Sequence, residues 1–137
     1  MRFFLGIDVG SSKTHALVVD ETGQCVGFGK SGGGNHQGAG YDGTEKVLRE
    51  SFDGALQMSG VEKAYIAGAG FGVAGCDFPS DRDAHLQEIS KLGLSCALEI
   101  INDGLSGLIS GTSHGVGVNV TAGSSNNCRG RNKDGKE

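Results

Sequence analysis

The segment Asp8 to Thr14, with the sequence DVGSSKT, joins a carboxylate to a small polar turn. It overlaps a short apolar run that predicts a strand ending near Asp8. Backbone N–H groups, serine hydroxyls and a lysine ammonium in such a turn can bind one anion. Because the Asp8 carboxylate would repel that anion, the pattern predicts a Mg²⁺ ion that Asp8 holds through its waters. An ordinary hairpin turn is the alternative, since the P-loop pattern G-x-x-x-x-G-K-[ST] is absent.

A second carboxylate, Asp103, follows the apolar run Ala97 to Asn102 and precedes a short helical pattern. An Asp at that place often caps the helix by accepting hydrogen bonds from its first N–H groups. The alternative is a ligand cleft, because the parallel strands of an open α/β sheet end at one edge, where ligands bind. Asp8 and Asp103 would then face one cleft, where one carboxylate could hold a metal ion and the other could accept a proton.

Two further segments are rich in Gly, Asn and Ser. The first runs from Gly33 to His36, and its Asn35 side chain can both donate to and accept from a sugar hydroxyl, although a flexible loop explains it too. The second runs from Gly123 to Asn127, after the expected last strand. It is typical of either a second phosphate-binding turn or an ordinary polar hairpin.

The elements that position these residues follow from apolar periodicity and turn residues. Three short strands predict an antiparallel meander, and helices then alternate with strands. The order β-β-β-α-β-α-β-α, followed by β-turn-β, predicts the α/β class with a mixed five-stranded sheet and helices on both faces. The expected strands are at 3–8, 15–20, 25–30, 63–68, 97–102 and 116–121. A Gly-rich loop is expected at 31–43 and a helix at 44–59. A second helix is expected to be capped by Ser80 with Asp83, to carry the apolar residues Leu86, Ile89 and Leu92, and to end at Gly93.

Composition excludes several classes of function. The chain of 137 residues has a net charge of −4, no Trp and no basic stripe, which disfavours nucleic-acid binding. No apolar run approaches the roughly 18–20 residues of a membrane-spanning helix, and Asp8 interrupts the apolar start too early for a signal peptide. The cysteines form no C-x-x-C pair, so we interpret them as free thiols of a cytoplasmic protein, with zinc or an iron–sulfur cluster as alternatives. They are Cys25, Cys76, Cys96 and Cys128.

Taken in order, these features resemble the actin-like ATPase and sugar-kinase superfamily. Within it, the chain is similar to the N-acetylglucosamine kinase group and the broader BadF/BadG/BcrA/BcrD ATPase family, over essentially its whole length. The matching segments are Phe4 to Thr14 for the first phosphate motif, Gly34 to His36 for the sugar loop, Asn102-Asp103 for the catalytic aspartate, and Asn127 to Arg129 with Asp134-Gly135 and Glu137 after the second phosphate motif. The resemblance implies a ribonuclease H-like lobe.

The resemblance also implies a role for each matching residue. The implied activity is ATP-dependent phosphorylation of an amino sugar, N-acetylglucosamine or glucosamine, at its 6-hydroxyl, with ATP and Mg²⁺. Asp8 would organise Mg²⁺, and Asp103 would accept the hydroxyl proton. The sugar would contact Asn35, His36 and Asp103, and the ATP phosphates would contact Gly10, Ser11, Ser12, Lys13, Thr14, Gly123 and Ser124. The family's second phosphate turn reads Gly-Thr-Gly-Ser, whereas this chain has Gly123-Ser124-Ser125-Asn126, so a side chain replaces the second Gly.

Members of the family are considerably longer than this chain. The resemblance therefore implies that residues 1–119 form the N-terminal lobe and that 120–137 begin a second lobe, whose remainder is missing. We expect weak sugar binding and little turnover from one lobe, because a kinase cleft needs both walls. Two alternatives stay open: an ATPase activator of an acyl-CoA dehydratase or reductase, with Cys76 and Cys96 as conceivable cluster ligands, and a non-catalytic lobe that forms a homodimer.

Overall fold

The computed structural model describes residues 1–124 and 126–137. The predicted order of strands and helices is confirmed. A short 3₁₀ turn, Lys63–Tyr65, precedes the fourth strand. The elements are β1 (Phe3–Val9), β2 (Lys13–Asp20), β3 (Cys25–Gly32), α1 (His36–Ser59), β4 (Ile66–Val73), α2 (Pro79–Ser90), β5 (Ala97–Asn102), α3 (Asp103–Gly111), β6 (Gly117–Ala122) and β7 (Asn126–Arg131).

Five of the strands form one mixed sheet, as predicted, and their order in that sheet is β3-β2-β1-β4-β5. Strands β1, β2 and β3 form the antiparallel meander, whereas β1 pairs with β4, and β4 with β5, in parallel. The carboxyl ends of β1, β4 and β5 therefore meet at one edge of the sheet. Strands β6 and β7 form a separate antiparallel hairpin, and β6 spans the domain boundary expected after residue 119.

Helices cover both faces of the main sheet. Along β1, Leu5, Ile7 and Val9 are buried on the face that packs against α1 and α2, whereas Gly6 and Asp8 lie on the other face. Helix α3 packs over β4 and β5 on that second face. The core between the sheet, α1 and α2 also contains Ala16, Val18, Leu48, Phe52, Ala55, Phe71, Val73, Ile89 and Leu92.

The first helix begins earlier than its sequence pattern suggested. It starts at His36, where a loop had been expected, and it bends at Gly40, whose φ of 69° lies in the left-handed region. Asn35 caps it by accepting a 3.0 Å hydrogen bond from the N–H of Gln37. The buried Thr44 hydroxyl lies 2.7 Å from the Gly34 carbonyl and 3.0 Å from the Gly40 carbonyl, and by sharing its hydrogen between them it holds the bend. The prediction of a loop holds for residues 33–35 and is wrong for residues 36–43, where this capping and burial outweigh the low helix propensity of glycine.

The fourth strand differs from its prediction at both ends. It begins at Ile66, after the 3₁₀ turn, and continues through Gly68, Gly70 and Gly72 to Val73. Glycines were expected to end the strand, but one of them makes room for a neighbouring element. A Cβ at Gly72 would lie only 2.8 Å from the Ser106 Cβ, so this glycine lets α3 approach the sheet closely.

The second helix has a different cap from the one expected. Its N-cap is Phe78, and the carboxylate of Asp81 accepts from the backbone N–H groups of Asp77 and Phe78 at 3.1 and 2.9 Å. Ser80 therefore lies inside the helix. The helix ends at Ser90, before Gly93. Ile89 and Leu92 are buried as expected, whereas Leu86 is exposed and His85 and Glu88 are the other buried residues of the helix.

Close packing of α1 on β3 requires glycine at position 29. A Cβ at Gly29 would lie 1.8 Å from the Ser51 carbonyl oxygen, which belongs to the helix backbone. We expect Gly29→Ala to lower the free energy of unfolding by about 1–3 kcal/mol, because the helix must move away from the sheet. Urea unfolding measures this change. Gly70→Ala is the control, because a Cβ there meets no atom within 4 Å. Equal losses in the two variants would contradict the prediction.

Candidate active site

A cavity of about 710 Å³ opens on the face of the sheet opposite α1. Its walls come from β1, β2, β4 and β5 below and from α3 and β6 at the side. Asp8 and Asp103 both line this cavity, as do His15, Gly72 and Asn119. The structure thus brings together the two carboxylates that the sequence predicts at one sheet edge, while their chemical roles stay predictions.

The surroundings of Asp8 raise the pKa of its carboxyl group above the ordinary value of 3.8. The largest cause is loss of water at the cavity wall, and the negative charge of Asp103 adds to it. The positive charges of His15 and Lys13 act in the opposite direction. Asp8 and Asp103 therefore repel one another across the cavity, and a divalent cation would relieve that repulsion. Two carboxylates fit Mg²⁺, which keeps several of its waters when bound to protein.

Asp103 lies at the junction between β5 and α3. Asn102, the last residue of β5, caps α3 by accepting from the Gly104 N–H at 2.8 Å. Asp103 Oδ1 also accepts from that N–H, at 2.9 Å, so capping is shared between the two residues. Since Asp103 is the first residue of the helix, its carboxylate lies at the positive end of the helix dipole.

The predicted phosphate turn and the predicted sugar loop are in direct contact. The Gly10 N–H donates to the Lys13 carbonyl at 2.9 Å, which closes the hairpin between β1 and β2. The Gly34 N–H donates to the Gly10 carbonyl at 2.9 Å, and Asn35 Nδ2 donates to the Ser11 hydroxyl at 3.2 Å. Asn35 therefore has two functions in the fold: it caps α1 and it contacts the turn.

The second predicted phosphate turn lies close to the first. The hydroxyl groups of Ser12 and Ser124 are hydrogen-bonded to each other. Gly123 and Ser124 lie in the connection between β6 and β7, in which Ser125 falls outside the described residues. Ser125 stands where the family has its second Gly, and we expect its side chain to crowd a phosphate; this expectation stays a prediction.

Thr14 is placed differently from the other residues of the first turn. It is fully buried, and its hydroxyl donates to the Gly32 carbonyl at 2.9 Å. Its side chain thus joins β2 to β3, whereas Ser11, Ser12 and Lys13 are exposed. The structure supports a positioning role for the Thr14 side chain and leaves the exposed part of the turn to meet an anion.

His36 belongs to an aromatic cluster that the sequence did not reveal. Its ring stacks on Tyr41 at 4.7 Å between centroids and meets the edge of His85 at 5.0 Å. His85 is fully buried, and among the described residues neither of its ring nitrogens has a hydrogen-bond partner. Burial, with a smaller effect of His36, lowers the pKa of His85. The spacing of His85 and Ile89, one helical turn apart, is the signal that could have located this buried histidine.

The cysteines have no disulfide partners among the described residues. Cys76 is buried, and this burial raises the pKa of its thiol.

Within residues 1–124 and 126–137, no group of three or more His, Cys, Asp or Glu side chains is arranged to hold a metal ion. In that same part of the chain, no helix is both long and apolar enough to cross a membrane.

The strand order of the sheet, with Asp8 and Asp103 lining one cavity, is that of a lobe of the actin-like ATPase and sugar-kinase fold. The family model of the BadF/BadG/BcrA/BcrD ATPase family matches residues 5–137. The chain therefore belongs to the BadF/BadG/BcrA/BcrD ATPase family, as its sequence resemblance implied.

The relatives described here match nearly all of this chain, but this chain covers less than half of each relative. The N-acetylmuramic acid/N-acetylglucosamine kinase of Clostridium acetobutylicum is 27% identical over 136 residues, which are 99% of this chain and 44% of that protein. The chain thus spans about half the length of the curated relative it matches. Two solved structures assigned as N-acetylglucosamine kinases share the fold. The one from Chromobacterium violaceum has a TM-score of 0.75 at 19% identity, covering 98% of this chain and 47% of that one. The one from Porphyromonas gingivalis has a TM-score of 0.73 at 23% identity, covering 98% and 45%.

The mutual repulsion of Asp8 and Asp103 gives a direct test of the cavity geometry. Asp103→Asn removes one cause of the raised pKa of Asp8, so we expect that pKa to fall. Lys13→Gln is the matched variant, because it removes a positive charge and should raise the same pKa. Carbon-detected NMR titration of the Asp8 carboxyl group measures both shifts. An Asp8 pKa that does not respond to either variant would contradict the arrangement.

Buried His85 predicts a loss of stability in mild acid. Its pKa in the folded chain lies below the ordinary 6.5, so below pH 6.5 the unfolded chain binds a proton that the folded chain does not. The contribution of His85 to folding is therefore constant above pH 6.5 and becomes less favourable as the pH falls towards its lowered pKa. Thermal unfolding between pH 7.5 and 5.5 should show a smaller decrease in Tm for His85→Phe than for the exposed control His114→Gln. Equal decreases in the two variants would refute this assignment.

Proposed function

We propose that this chain is the N-terminal lobe of an ATP-dependent kinase that phosphorylates an amino sugar, N-acetylglucosamine or glucosamine, at its 6-hydroxyl. The observation that carries the proposal is that Asp8 and Asp103 line one cavity. Family membership and a curated relative named as an N-acetylmuramic acid/N-acetylglucosamine kinase support it. In this proposal residues 1–119 form the lobe and residues 120–137 begin the second one.

Asp103 is the proposed general base. Its carboxylate accepts the proton of the sugar hydroxyl while that oxygen attacks the γ-phosphorus of ATP and the bond to the β-phosphate oxygen breaks. The Gly104 N–H donates to the Asp103 carboxylate at 2.9 Å and so orients it for this step. Positioning and charge neutralisation supply most of the acceleration in phosphoryl transfer, so the orientation of this carboxylate is decisive.

The two polar turns are the proposed phosphate sites. The backbone of Gly10 to Ser12, the Lys13 ammonium and the segment Gly123-Ser124 would contact the ATP phosphates. The hydrogen bond between the Ser12 and Ser124 hydroxyls supports this, because both turns then adjoin one ligand. Asp8 would hold Mg²⁺, which supplies neutralisation of phosphate charge when bound.

Asn35 is the proposed second contact of the sugar. Its amide is already oriented by the Ser11 hydroxyl and the Gln37 N–H, so little side-chain entropy is lost when a hydroxyl binds. His36 adjoins it, but the ring packs on Tyr41 and His85, so we assign His36 to holding the start of α1 in place. The cavity is open on one side, and a second wall would have to exclude water for rapid turnover.

Isothermal calorimetry with N-acetylglucosamine and, separately, with MgATP tests the proposal. We expect weak binding of the sugar, and Asp103→Asn should lower its affinity about tenfold or more, because a hydrogen bond to a charged group is lost. Asp8→Asn should weaken MgATP binding and leave sugar affinity nearly unchanged. Arg2→Gln is the control, since its exposed ion pair with Glu21 lies at the far end of β1. Absence of heat for both ligands on the folded chain would argue strongly against a kinase lobe.

A further inference from the structure

A group of four polar side chains, the Asp77 network, connects the end of β5 to the hairpin β6–β7. Its members are Asp77, Asn102, Asn127 and Arg129. Asp77 lies in the connection between β4 and α2, where its carboxylate accepts from Asn102 Nδ2 at 3.0 Å and forms an ion pair with Arg129 through the same oxygen. One carboxylate oxygen thus holds a residue of the main sheet and a residue of the hairpin.

The buried side-chain amide of Asn102 keeps its observed orientation only if its NH₂ group has a hydrogen-bond acceptor. Asn102 is 6% exposed, and its Oδ1 accepts from the Gly104 N–H at 2.8 Å and from Asn127 Nδ2 at 3.0 Å. Asp77 supplies the acceptor for the NH₂ group. Without Asp77 this NH₂ group would be left unpaired in the interior, which favours rotation of the amide or entry of water. Either change would loosen the helix cap next to Asp103.

The hairpin is packed directly on the same helix start. A Cβ at Gly104 would lie 2.9 Å from Asn127 Nδ2 and 3.0 Å from Arg129 Cγ, so a side chain at this position would displace these hairpin residues. From β6, Asn119 Nδ2 donates to the Gly104 carbonyl at 2.9 Å. Arg129 Nε is buried without a partner among the described residues, so the guanidinium depends on Asp77 for its compensating charge.

We propose that Asp77 is a positioning residue that fixes the Asp103 carboxylate relative to the hairpin β6–β7. It acts through Asn102 on the start of α3 and through Arg129 on β7. The significance of Asp103 as a base rests on the proposed function, whereas the mechanical link between Asp77, the helix start and the hairpin does not. Loss of Asp77 would loosen the contact between the start of α3 and the hairpin, which carries Gly123 and Ser124.

NMR of the folded 137-residue chain tests the link without any ligand. In Asp77→Ala we expect amide exchange in β6–β7 to become about tenfold faster while exchange in β1 and β2 is unchanged, because local opening of the hairpin is then easier. The Gly104 amide resonance should also move. Arg2→Gln, which removes an exposed ion pair, is the control and should change neither signal. Unchanged hairpin exchange and an unchanged Gly104 resonance in Asp77→Ala would overturn the proposal.

Three further variants distinguish the contact of Asp77 with Asn102 from its contact with Arg129, and they replace Asp77→Ala if that variant does not fold. Asp77→Asn retains an acceptor for Asn102 but loses the charge for Arg129, so hairpin exchange should accelerate while the Gly104 resonance stays near its original position. Arg129→Lys should retain part of the protection, and Arg129→Met should lose it. If amide exchange in β6–β7 is as slow in Asp77→Asn and Arg129→Met as in the original chain, Asp77 does not act on the hairpin through Arg129.

Sugar affinity distinguishes this inference from the proposed function. If the chain binds N-acetylglucosamine, Asp77→Ala should weaken binding several-fold, although Asp77 itself touches no sugar. If no variant binds sugar but the exchange and resonance changes occur, the kinase proposal fails and the positioning role of Asp77 stands. If sugar binds equally well to Asp77→Ala and to the original chain, the proposed effect on the Asp103 site is wrong.

Discussion

Parallel pairing of β1, β4 and β5 is the constraint on which the site depends. Asp8 pairs in register with Gly72, and Gly72 pairs with Ile101, so the three strands reach the same edge together. Asp8 is the penultimate residue of β1, and Asp103 directly follows the last residue of β5. Any sheet of this order brings these two carboxylates near one another, and α3 then keeps Asp103 at the cavity wall.

The glycines of β4 determine what lies between the two carboxylates. Gly70 and Gly72 face the same side of the sheet as Asp8, and neither places a side chain in the cavity. At Gly72 the missing side chain is replaced by Ser106 of α3, whereas at Gly70 the space stays open. β4 therefore provides both the close packing of α3 and the floor of the cavity. Its glycines serve these two purposes within a strand that stays paired from end to end.

The parts of this fold that could be predicted are those fixed by local pattern. Short apolar runs bounded by turn residues located β1, β2, β3 and β5, and the alternation of strands and helices implied that Asp8 and Asp103 end up at one edge. The start of α1 and the extent of β4 could not be predicted from the sequence. A glycine-rich segment predicts a turn unless one knows which neighbouring element packs where the side chain is missing. His85 was missed for a similar reason, since its burial depends on His36 and Tyr41 from another helix.

The hairpin β6–β7 owes its position to polar contacts and not to a core. Its outward side chains Val118 and Val120 are 72% and 71% exposed, whereas its inward face carries Asn119, Asn127 and Arg129. A two-stranded hairpin alone is marginally stable in water, so these contacts with the start of α3 and with Asp77 determine where it lies. The second polar turn is part of this hairpin, and its distance from Asp103 is therefore set by hydrogen bonds. Such a connection can be broken by single substitutions that leave the five-stranded sheet intact.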